Sequence, residues 1–212
     1  MLLIAGEAGR SQTTLVANFW PEAEDARSAL SVAVHRLRKL LKTDEAIIVS
    51  GGRVCVNTRI ISSDLFAFDE LCQQVDSLPI NPSENRIVKL VGDLLAIYRG
   101  PLCDGDEDAW FLPARERTQQ RFLALATTLG AQLERSALWD QASDLYLRAL
   151  SIEPLSEILY RSLMRCAHAQ NDPSAAFSAY RRCRESLSIL LGKKPSEETE
   201  KLAIALGLVH SK

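Results

Sequence analysis

Three residue pairs recur at one interval: Leu129 and Leu163, Ala142 and Ala176, and Tyr146 and Tyr180 are each 34 residues apart. A fixed period of this length leaves few folds open, because each unit carries an apolar face that it covers only by stacking on a neighbour. Around these positions apolar side chains return at three- and four-residue steps, as in Phe122, Leu125, Ala126, Leu129 and Leu133, which is the stripe of an amphipathic helix. Each unit is therefore expected to be a pair of helices, with small residues where the backbones approach and an aromatic ring against the next element.

The first unit, about 123–155, has Leu129-Gly130, Ala142, Tyr146, Ala149 and Pro154 where a tetratricopeptide repeat needs them. The second, about 157–190, keeps Tyr160, Leu163, Ala176, Tyr180 and a small Cys183, with Met164 in place of glycine and Ser188 in place of proline. Two such units rarely stand alone, so a helix beginning near Ile87 and a last helix after Pro195 should complete and cap the stack. Everything after Ser63 reads as helix. Ser63 or Asp64 caps a helix to about Val75, a Pro-punctuated stretch follows, helical spacing from Ile87 to Tyr98 ends at Arg99-Gly100-Pro101, and a long helix starts near Pro113.

The first 59 residues follow another pattern. Ser11-Gln12-Thr13-Thr14 offers caps for a short helix that stops at Pro21. A longer helix is expected from Glu22 or Glu24. Its Leu30, Ala33, Val34, Leu37, Leu40 and Leu41 form a buried stripe, while Arg27, Ser31, His35, Arg38 and Lys42 share another face. From Glu24 to Lys42 there are five basic residues and two acidic ones. Two β-rich runs, 46–50 and 53–57, then flank Gly51-Gly52, a strong hairpin signal. A helix, a basic helix and a hairpin in that order are what a winged helix-turn-helix requires. In that setting Lys39, Lys42 or Arg53 would contact phosphate, and Ser31, His35 or Arg38 would read bases.

Composition narrows the remaining classes. With 47% hydrophobic and 25% charged residues the chain is globular, and its net charge of −2 does not announce nucleic acid. That average covers a split, since 1–62 holds eight basic and six acidic residues and the remainder is net acidic. No apolar run approaches the roughly 18 residues of a membrane span, and Met1-Leu2-Leu3-Ile4-Ala5 lacks the basic region of a signal peptide. Five scattered cysteines, never in a C-x-x-C pair, fit reduced thiols and a cytoplasmic setting. Catalysis, a cofactor and a metal are not expected. His35, His168 and His210 are far apart, and Cys166 and His168, two residues apart on a helix, point to different faces. Gly6 to Thr14 lacks the lysine of a phosphate-binding loop and reads as a turn between helices. Asp104-Gly105-Asp106-Glu107-Asp108 opens like a calcium loop, yet Ala109 and Arg115 stand where it needs glycine and glutamate, so it reads as an acidic surface loop. Arg148, Arg161, Arg165, Arg181, Arg182 and Arg184 concentrate in the repeats, either as a solvated face or as a docking surface for an acidic partner.

Several segments, in order, complete the pattern: Phe19-Trp20-Pro21-Glu22, Ala26-Arg27-Ser28, Arg36-Leu37-Arg38-Lys39-Leu40-Leu41, and Asp64 with Phe68. They continue with Tyr98-Arg99-Gly100-Pro101-Leu102, Trp110 with Arg115 and Arg117, Pro154-Leu155-Ser156-Glu157, Leu163-Met164-Arg165, Ala179-Tyr180 and Leu191-Gly192-Lys193-Lys194-Pro195-Ser196. Together they resemble the bacterial transcriptional activator domain (BTAD) family of SARP-type regulators, in which an OmpR-like winged helix precedes a TPR-like helical domain. The resemblance implies a mainly α chain, with a partial winged helix and β-hairpin wing at 1–62, its N-terminal sheet missing, and an all-α domain at 63–212. It also implies a bacterial transcription regulator that binds double-stranded DNA. Arg27, Ser31, His35, Arg36, Arg38, Lys39 and Lys42 would lie on or beside the DNA, Thr13 and Thr14 at a helix start near phosphate, and Arg53 and Arg59 in the wing region. The helical domain would relay a signal or contact RNA polymerase, another domain of a longer regulator or a second copy of the chain. The alternative is a protein-interaction module whose degenerate winged helix binds no DNA.

Overall fold

The computed structural model describes residues 1–105 and 109–209. The chain is mainly helical, with one small three-stranded antiparallel sheet near its start. It divides into two compact units, one formed by Met1–Glu70 and Asp106–Ala114, the other by Leu71–Gly105 and Arg115–Lys212. Asp106 to Asp108 of the expected acidic loop, and His210, lie outside the described residues.

In the first unit, α1 (Leu2–Ala5) runs into a 3-10 turn (Gly6–Ala8), followed by β1 (Arg10–Ser11), α2 (Gln12–Phe19), α3 (Ala26–Leu41), β2 (Ile47–Ser50) and β3 (Arg53–Val56). The stretch 6–14 is thus more than a turn between helices. Arg10 and Ser11 pair with Val54 and Arg53, giving the sheet order β1-β3-β2. Gly9 explains the close approach, because a Cβ there would sit 2.5 Å from the Val54 carbonyl oxygen. Between β2 and β3, Gly51 (φ 56) and Gly52 (φ 73) supply the two left-handed residues of a tight hairpin turn. The helix expected from Glu22 or Glu24 begins later, at Ala26, because the Asp25 side chain accepts from Ser28 N–H at 3.0 Å and fixes the start there.

Leu15, Leu30, Val34, Ala46, Ile47, Val54 and Val56 form the core of this unit, with Trp20, Ile61 and Phe66 packed against it. Phe19 stacks at an angle on Trp20 and meets Trp110 edge-on, at centroid distances of 5.8 and 6.3 Å. Leu3, Phe19, Leu37 and Leu41 remain exposed and line an apolar groove of about 390 Å³. Among the described residues no strand precedes α1.

Helix α4 (Asp64–Asp76) leads into the second unit, which continues with α5 (Glu84–Ile97), α6 (Leu112–Arg135), α7 (Trp139–Ile152), α8 (Glu157–Ala169), α9 (Pro173–Leu191) and α10 (Glu197–Ala205). Its repeats are the helix pairs α6–α7 and α8–α9, as the 34-residue period requires. A methyl group at Gly130 would overlap the Tyr146 ring, so glycine at this point lets α6 and α7 close. Tyr146 is 1% exposed and donates its hydroxyl proton to Glu134 at 2.7 Å. In the second pair the corresponding Met164 is fully buried, and Tyr180 donates instead to Glu200 of α10 at 2.8 and 2.9 Å. Helix α10 closes the stack. Glu157 of α8 accepts from the Ser196 backbone and hydroxyl at 2.8 and 2.7 Å and from the Thr199 hydroxyl at 2.6 Å, thereby capping α10 from a neighbouring helix. At the other end, Tyr98 stacks on Phe122 with centroids 4.2 Å apart.

Candidate nucleic-acid interface

Helix α3 carries the candidate surface, and its periodicity decides which side chains share a face. Leu30 and Val34 are buried toward the sheet, so residues one helical step around from them must border the solvent. Arg27, Ser31, His35 and Arg38 accordingly line an open groove of about 380 Å³, whose other wall is Gln12 of α2 and Val49 of the wing. Arg36 and Lys39 lie outside that groove on the adjoining outward flank, both exposed. Lys42 ends α3 in the left-handed conformation (φ 56), where its backbone N–H caps the Arg38 and Lys39 carbonyls and its side chain is exposed.

The remaining expected positions divide into those that frame this face and those that do not. Thr13 and Thr14 occupy the first turn of α2 and are exposed, with Ser11 as the cap accepting from Thr14 N–H at 3.0 Å. Arg59 is exposed too, but it borders a separate cleft of about 270 Å³ with Glu7, Ile48, Cys55 and Thr58, where the Thr58 hydroxyl donates to Glu7. Two arginines have backbone partners. Arg38, half-buried, donates to the Ile47 carbonyl from Nε at 3.1 Å and from Nη2 at 2.7 Å. Arg53 donates to the Ala8 and Gly9 carbonyls at 2.8 and 2.9 Å. Gln12 and Val49 were not singled out by the sequence. Neither has a local signal, since each reaches the groove only through the packing of α2 and the wing beside α3.

Of the six arginines concentrated in the repeats, four have partners within the second unit. Arg161 donates to Thr199 and pairs with Glu198, both at 3.0 Å, and Arg165 pairs with Glu134 at 3.5 Å and donates to Ser162 at 2.9 Å. Arg181 pairs with Glu185 one turn on, and the Arg184 guanidinium lies 5.8 Å from the Tyr180 ring centroid. Burial, aided by the Glu134 charge, pushes the Cys166 thiol up to about 11, and burial with the Glu157 charge pushes Cys183 up to about 12. Such thiols stay protonated and inert at neutral pH. Among the described residues no group of three or more His, Cys, Asp or Glu side chains is placed to hold a metal ion, and no helix is long and apolar enough to cross a membrane.

The chain is similar over 97% of its length to Mycobacterium tuberculosis EmbR, solved in complex with a low-affinity phosphopeptide, at 19% identity and a TM-score of 0.70. It spans 56% of that protein's chain, so the likeness is one of fold. No curated protein matches. The bacterial transcriptional activator domain model matches residues 63–206, which cover α4 to α10 in full. With two thirds of its length so matched and a helix-turn-helix and hairpin ahead of the match, this chain belongs to the bacterial transcriptional activator domain family.

Proposed function

We propose that the chain is the DNA-binding and helical-repeat part of a bacterial transcriptional regulator, with α3 entering the major groove and the β2–β3 hairpin lying against the flanking backbone. The observation that carries this reading is the composition of the exposed α3 surface. Arg27, Ser31 and His35 line one groove beside the wing, and Arg36 and Lys39 flank it with unburied cations. Cations on the flank would set affinity through phosphate, while the shorter polar side chains in the groove would meet base edges. The helical unit would then serve protein contacts, as stacked helix pairs do elsewhere.

The test is fluorescence anisotropy on duplex DNA across a salt series. Wild-type protein should bind more weakly as salt rises, and Arg36→Glu/Lys39→Glu should abolish binding while leaving the helical content unchanged. If the wild type shows no salt-dependent binding, the chain is better read as a protein-interaction module with a winged helix that does not engage DNA.

A further inference from the structure

The wing is held at two points by arginine side chains. Strand β2 is an open edge of the sheet, and Asn57 N–H donates to Ala46 O at 2.9 Å. Ile47 therefore faces Val56 in a non-hydrogen-bonded pair, which turns the Ile47 carbonyl off the edge and away from β3. Ile47 is only 3% exposed, so that carbonyl needs a partner from the protein. Arg38 supplies it from α3 with two N–H groups on the one oxygen. Strand β3 is held from the opposite side. Arg53 spreads its guanidinium over the Ala8 and Gly9 carbonyls, in the turn that leads into α2, where Gly9 already lies hard against β3.

We infer that Arg38 and Arg53 are positioning residues that fix the wing against α3 and against the turn before α2, and act on DNA only through the wing. The effect on DNA rests on the function proposed above; the effect on the wing does not. Both clamps depend on a forked donor with two N–H groups aimed at backbone oxygen. A lysine ammonium can hold a phosphate as a point charge but cannot reproduce that fork.

Lysine substitution therefore separates positioning from phosphate contact. Hydrogen exchange of the Ile48 and Cys55 amides, which bond across the hairpin, reports the wing, and anisotropy on a mixed-sequence duplex of about 30 base pairs reports binding. In Arg38→Lys and Arg38→Ala alike, wing amides should exchange about tenfold faster while Leu30 and Val34 of α3 keep their protection. Arg53→Lys and Arg53→Ala should behave the same way. DNA affinity should fall at least about fivefold in all four variants, with the slope of log affinity against log salt unchanged. Retention of wild-type exchange and affinity by the lysine variants, or a slope lowered by about one in the alanine variants, would overturn the assignment. If the wild type does not bind the duplex, the proposed function fails, and the exchange rates alone decide whether the arginines hold the wing.

Discussion

At Gly130 the missing side chain is the structural fact, since the Tyr146 ring fills the space a methyl group would take. Gly130→Ala should therefore destabilise the helical unit by about 1–3 kcal/mol, because Tyr146 is buried and hydrogen-bonded and has little room to move. Urea titration of Gly130→Ala, Tyr146→Leu and the double variant checks this. The double variant should lose less than the sum, and strict additivity would show that the two residues do not share the site. The cysteines give a second single-residue prediction. With Cys166 and Cys183 buried and held protonated, iodoacetamide at about pH 8 should label exposed Cys103 rapidly and leave those two unmodified until the protein unfolds. Peptide mass mapping reads this directly, and early labelling of Cys183 would contradict its burial. Gly130 and Tyr146 were both legible in the sequence, Tyr146 from the 34-residue period it shares with Tyr180 and Gly130 from the tetratricopeptide pattern around it. The roles of Arg38 and Lys39 were not. They are neighbours of like charge, and only the path of the wing makes one half-buried and the other exposed.

At the scale of elements, the start of α10 is capped by one carboxylate from α8, that of Glu157. Burial alone would raise the Glu157 pKa, but hydrogen bonds from Thr199 and Ser196 and the charge of Arg161 outweigh it and hold the carboxyl below its usual 4.5. A depressed acid stabilises the fold fully above its unfolded value and loses that contribution as pH falls through the folded one. Acidification below about pH 4.5 should thus release α10 first, seen as faster amide exchange at Ala203 than at Leu159 or Met164. Glu157→Gln should remove the pH dependence of that exchange, and its persistence in the variant would assign it to another carboxyl. Element boundaries show where local signals stop being sufficient. The β2–β3 hairpin could be read from Gly51-Gly52 alone, whereas α3 starts at Ala26 because Asp25, and neither Glu22 nor Glu24, accepts the bond from Ser28 N–H. Strand β1 had no legible pattern at all. Two residues form a strand only because β3 presents an edge to them.

Over the whole molecule, the near-neutral charge averages a basic stretch at 1–62 and an acidic remainder, and the strongly shifted titrating groups lie in the helical unit. In the helical unit Tyr98 and Tyr180 are pushed up to about 12 from 10.0, mainly by burial, with Glu153 and Glu200 respectively adding to it. Burial and the hydrogen bond to Glu134 raise Tyr146 also. Because these phenols and the two buried thiols ionise first in the unfolded chain, stability should be level up to about pH 9 and fall as pH rises through 9 to 12. Denaturant midpoints at about pH 8 and pH 10.5 test the sign, and equal midpoints would contradict it. The class of fold was legible from the repeat period and from the order of helix, basic helix and hairpin, but the groove beside α3 was not, because Gln12 and Val49 come from elements whose packing no local pattern specifies. Whether that groove meets DNA is decided most directly by amide chemical shifts followed during titration with duplex DNA. Shifts concentrated at 27–39 of α3, at the start of α2 and across the 48–53 wing, shrinking as salt is raised, are expected; no shifts, or shifts confined to α7–α9, would contradict DNA binding by the winged helix.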